Sequence, residues 1–144
     1  MRDLTECQAF VDHLRGEHIR VHRAVSDVEA EITGAVSPRD APRIKAALVK
    51  LRETLSMHFA EEEEGGCLNE AAAFCPRLAP DVEVVEREHT SLLKLVDHLI
   101  RRAEVCETED YVESFRRFAK TLHAHENSEN RILSEAFGTG QLET

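Results

Sequence analysis

His58 and Glu62 stand four residues apart, and so do His125 and Glu129. On a helix that spacing lays an imidazole and a carboxylate over one another on one face. Each pair continues an apolar row: Leu48, Leu51 and Leu55 precede the first, and Phe115, Phe118 and Leu122 precede the second. Ionisable groups in an apolar seam are costly unless something satisfies them, and a metal ion does so well. Single histidines interrupt two further rows. His18 falls within Val11, Leu14, Val21, Val25, Val28 and Ile32, and His89 within Val82, Val85, Leu92, Val96 and Leu99.

The steps of three and four in all four rows predict an all-α fold, with helices over about 5–33, 41–64, 81–106 and 109–137. Thr5 with Gln8 reads as a capping box, and Asp40 and Thr108 as N-caps. Pro42 suits a first turn, while Gly34, Gly65-Gly66 and Gly138 mark ends. A short helix over about 68–74 fits the link ended by Pro76 and Pro80. Short connections imply a single domain over 1–144, an up-down-up-down four-helix bundle. Its halves repeat weakly: a Glu-His pair at 17–18 precedes His58/Glu62, and another at 88–89 precedes His125/Glu129.

Helical rise then tests whether the polar residues meet. His18 lies about 15 residues from the loop joining the first two helices, and His58 about 17 from it. His89 and His125 lie about 17 and 16 residues from the next loop at that end. All four imidazoles therefore share one level, roughly 24 Å down the bundle, with Glu62 and Glu129 a turn further along. Four imidazoles at one depth, with two carboxylates a turn along, suit a binuclear metal site. Imidazole with carboxylate, and no thiolate, suits iron, manganese or zinc, and a pair of bridging glutamates favours a dinuclear iron centre over the other two. Two glutamates from different helices can each bridge a pair of ions.

Composition bounds the rest. At 144 residues with 42% hydrophobic content, the chain can bury a real core. A formal charge of −10 argues against nucleic acid or an anionic membrane as partner. No apolar run approaches a membrane span, and MRDLTECQAFVDHL lacks the apolar core of a secretion signal, so a cytoplasmic location is expected. Cys7, Cys67, Cys75 and Cys106 form no CxxC pair and read as reduced thiols, with a Cys67–Cys75 pairing as the alternative.

The segments GEHIRVH, HFAEEEE, EREHTSLL and HAHENSENRIL, in the order His, HxxxE, His, HxxxE, resemble the hemerythrin-like (HHE cation-binding) domain family over about 14–137. The resemblance implies a four-helix bundle around a non-haem di-iron centre. His18, His58, His89 and His125 match the family's terminal ligands, and Glu62 and Glu129 its bridges. The invertebrate oxygen carriers of the family place a second histidine on the third helix and an aspartate one residue further along the fourth. Here Leu93 stands at the former position, and the fourth helix offers Glu129. An additional histidine, His22, lies on the first helix and is read as a further metal ligand that completes one ion's coordination, with a hydrogen bond at the seam edge as the alternative.

Other candidates have plainer roles. Glu86 precedes His89 by a turn and reads as a solvated flank rather than a ligand. Glu61, Glu63 and Glu64 read as surface charge, and His13, His98 and His123 fall off the seams. Tyr111 is too far from His125 to relay electrons to the metals. The leading expectation is a di-iron protein that binds or reacts with O2 or H2O2. An iron- or oxidant-responsive regulator and an enzyme of peroxide decomposition or iron oxidation are the alternatives.

Overall fold

A computed structural model of the chain describes residues 4–33, 38–103 and 108–138. Five α-helices occupy it: α1 (Leu4–Thr33), α2 (Ala41–Gly65), the short α3 (Cys67–Phe74), α4 (Ala79–Arg102) and α5 (Thr108–Phe137). Single 3-10 turns at Pro38–Asp40 and Pro76–Leu78 lead into α2 and α4, and no strand occurs among the described residues. α1 packs on α2, α2 on α4, α4 on α5, and α5 back on α1, which closes the four long helices into the expected ring.

Local chemistry sets the ends. α2 stops where Gly66 takes φ +79°, a left-handed conformation that a side chain would strain. Gly138 at φ +67° does the same after α5. Asp40 holds the N-cap position of α2 but makes no capping hydrogen bond: its backbone is already helical, at φ −84° and ψ −9°, and its carboxylate pairs with Arg43 one turn on. α4 starts two residues before the expected Asp81, since Pro80 fits its first turn. It ends at Arg102, and 104–107 lie outside the described residues. So do the side chains of Thr5, Gln8, Val11, Leu14, Cys7, Cys67, Cys106 and Thr108. Cys75 is free.

The seams face inward as their periods require. One apolar cluster fills the end nearer the α1–α2 connection, with Val21, Val28, Leu48, Leu51, Leu55, Leu92, Val96, Phe115 and Phe118 buried. Tyr111 belongs to it, and its hydroxyl donates to the Leu99 carbonyl at 2.7 Å. A second cluster closes the other end, where Leu68 and Ala71 of α3 pack on Val82, Val85, Ile132 and Leu133. α3 is thus a plug beneath the bundle. Along α2, α4 and α5 the histidines and glutamates of the seams lie between these apolar blocks.

Candidate metal centre

Four helices each deliver part of one polar layer. α1 brings His18, α2 brings His58 and Glu62, α4 brings His89, and α5 brings His125 and Glu129. All but His18 are at most 3% exposed, and the His18 side chain is 13% exposed. The i,i+4 spacing works as expected: His58 Nε2 lies 2.6 Å from Glu62 Oε1, and His125 Nε2 lies 3.2 Å from Glu129 Oε1. Across the layer, His18 Nε2 is 3.9 Å from Glu129 Oε1, while His89 Nε2 is 3.8 Å from Glu62 Oε2 and 4.0 Å from Glu129 Oε2.

These atoms form two overlapping groups. His18, His58, Glu62 and Glu129 bring ligand atoms within 4.8 Å of one another, and so do Glu62, His89, His125 and Glu129. Both carboxylates belong to both groups. That overlap is the geometry that two neighbouring cations sharing carboxylates would require.

Satisfaction of the polar atoms decides whether a metal fits. The Nε2 atoms of His18, His58, His89 and His125, and both oxygens of Glu62 and of Glu129, are buried without a hydrogen-bond partner. The 2.6 Å approach of His58 to Glu62 is a close contact of the ion-pair type. Each such buried group costs about 1–3 kcal/mol. Eight in one layer would be hard to sustain in a protein that carried nothing there. The donors converge from four helices on shared points, and the nitrogen and oxygen set suits a divalent transition metal. The residues fit the ions.

Electrostatics keeps part of this layer ready to ligate. Burial is the main cause that pushes His18 down from 6.5 to about 4, with the neighbouring His58 adding to it and Glu62 opposing. His125 is lowered as well, by burial first, against the opposing effect of Glu88 and Glu62. Neutral imidazole is the ligating form. For His58 burial also lowers the pKa, but the adjacent Glu62, then Glu126 and Glu17, bring the net shift upward.

Around the layer lies a set of contacts that seam analysis missed. His125 Nδ1 is 2.8 Å from Glu88 Oε1, and His89 Nδ1 is 3.3 Å from Glu63 Oε1. Glu126 is 5% exposed, with Oε2 at 3.7 Å from His18 Nδ1 and Oε1 at 3.1 Å from His22 Nε2. Burial raises its pKa, and the nearby histidines oppose the rise. Phe59 stacks on His89, ring centroids 4.1 Å apart, and meets His125 edge-on at 5.6 Å. A sequence signal existed: Glu63, Glu88 and Glu126 each adjoin a residue of the polar layer.

Other expectations sort themselves. His22 lies 3.1 Å from Glu126 with its side chain 55% exposed, outside both groups of converging donors. Glu86 is half-buried and outside both groups. Glu63 is not simply surface charge, because it reaches His89. Glu61 pairs with the exposed His13 at 2.8 Å, and those two with the buried Glu17 form a third group apart from the polar layer. His98 and His123 are exposed.

A comparison with protein families matches residues 9–137 to the model described as the hemerythrin HHE cation binding domain. No curated protein and no solved structure matches the chain.

Proposed function

This chain belongs to the hemerythrin HHE cation-binding domain family, and we propose that its polar layer holds two iron ions that bind or react with O2 or H2O2. In this reading His18 and His58 would hold one ion and His89 and His125 the other, with Glu62 and Glu129 shared between them. The observation that carries it is the sharing of both carboxylates by the two groups of converging donors. Zinc or manganese would fit the same donors, and histidine with bridging carboxylate favours iron.

Bound ferrous iron supplies the electrons by which dioxygen or peroxide is held or reduced. The chain supplies position and enclosure. Glu88 and Glu63 fix the rings of His125 and His89 from behind, which orients the nitrogens that face the centre. Phe59 covers His89 and His125 and limits water on that side. His18 is the more exposed of the four imidazoles, and its depressed pKa keeps it neutral at pH 7.

A metal-responsive regulatory role is the second reading, favoured by the eight unpartnered donor atoms of the layer. A protein that carries so many unmet polar groups without metal gains stability on loading, and its surface responds to metal supply. Absorption spectroscopy after anaerobic ferrous loading separates the readings. The primary reading predicts a visible band on exposure to air or H2O2. A band that reverses on deoxygenation indicates carriage, and catalytic peroxide loss indicates an enzyme. Loading that raises the melting temperature with no oxidant-dependent spectral change would replace the primary reading with the regulatory one.

A further inference from the structure

The outer carboxylates follow one rule. Each comes from the chain neighbour of a polar-layer residue on its own helix, and each reaches the next helix around the ring. Glu63, beside Glu62 on α2, reaches His89 on α4. Glu88, beside His89 on α4, reaches His125 on α5. Glu126, beside His125 on α5, approaches His18 on α1. The helices pack in that same circular order. Continued one step, the rule predicts that the neighbour of His18 on α1 reaches His58 on α2.

That neighbour is Glu17, and it is 6% exposed. Burial of a carboxylate beside a ligand position calls for a reason. Meanwhile His58 is the one imidazole of the four whose Nδ1 is buried without a hydrogen-bond partner. The charge of Glu17 is among those that act on His58. Glu126 acts on His58 more strongly, but its two oxygens face His22 and His18. Glu17 lies against α2, grouped with His13 and Glu61, and its Oε1 accepts from Arg20 at 2.6 Å and lies 3.7 Å from His13 Nε2, which leaves Oε2. A carboxylate offers about four acceptor positions, so Arg20 does not exhaust it.

We propose that Glu17 is the positioning residue of His58: it accepts the Nδ1–H of that ring when His58 ligates through Nε2, and so closes a four-membered outer ring of glutamates. The inference rests on the metal reading above. An imidazole whose rear nitrogen is held by a carboxylate is fixed in tautomer and orientation and is more basic towards the ion. Glu17 therefore governs the His18/His58 half of the centre as Glu88 governs the His89/His125 half.

The test is titration of apoprotein with Zn(II) against a competing chelator, together with imidazole NMR of the zinc-loaded protein. Wild type takes up two equivalents. Glu17→Gln weakens one by about 10–100-fold and displaces the Nδ1–H resonance of His58, whereas Glu88→Gln weakens the other and leaves that resonance in place. Unchanged zinc affinity and an unmoved His58 resonance in Glu17→Gln, beside a weakened Glu88→Gln, would overturn the proposal and leave the metal reading standing. Failure of wild type to bind zinc would remove both. The wild-type spectrum decides even if Glu17→Gln does not fold, because a held Nδ1–H exchanges slowly with water, and rapid exchange in the zinc-loaded protein contradicts the assignment.

Discussion

Leu55 and Glu62 lie on one face of α2, two turns apart, and are enclosed to the same degree, at 0% and 1% exposure. Leu55 is complete in that setting, since packing is all its side chain requires. Glu62 has both oxygens buried and neither hydrogen-bonded. Equal burial therefore means opposite things at the two positions. The apolar block around Leu55 holds the bundle together, and the layer around Glu62 is a cost that the bundle sustains. Natural cores rarely keep such a layer without a use for it.

The strongest way to sharpen that contrast is to take metal away. Chelation should lower stability by about 4 kcal/mol for each ion held at a thousand-fold excess over its Kd, read as a drop in melting temperature on adding chelator. Paired substitutions separate the two regions next. Leu55→Ala should cost about 2–5 kcal/mol in the apo and loaded forms alike and leave the metal content unchanged. The double change H58L/E62M should do the reverse, leaving the apoprotein equal or up to about 1–4 kcal/mol more stable in denaturant titration while metal is lost.

Acid probes the same layer. His18 has a folded pKa of about 4, below its ordinary 6.5, so the unfolded chain takes the proton more readily between those values. Stability contributed by neutral His18 is thus complete above pH 6.5 and is lost as pH falls towards 4. Apoprotein carrying His18→Asn should lose less stability over that window than wild type, by up to about 3 kcal/mol. The smallest effect is expected at the edge. His22→Ala should cost about 1 kcal/mol, the value of one hydrogen bond, and retain the metal content of wild type.

The four long helices and the converging residues were legible because both depend on periodicity. A seam residue of wrong polarity stands out against its row, and helical rise converts sequence distance to depth, which puts His18, His58, His89 and His125 on one level from their spacing alone. The outer carboxylates were not legible in that way. Glu63 and Glu126 sit beside the seams, and their faces depend on how far each helix is rotated towards its neighbour. Glu126 turns towards α1 and becomes buried, while Glu64 stays exposed. Asp40 shows the same limit on a smaller scale: its type and position suit an N-cap, but Arg43 competes for the carboxylate. His22 was ambiguous in sequence, since its angle alone did not say whether it faced the layer or Glu126.

The central claim is that Glu62 and Glu129 are shared by two ions, and elemental analysis of anaerobically ferrous-loaded protein tests it most directly. The account predicts about two irons per chain in wild type, and fewer than about one when both carboxylates are neutralised as Glu62→Gln/Glu129→Gln in a variant that still gives the helical spectrum of the bundle. Two irons per chain in that folded variant, or none in wild type, would contradict it.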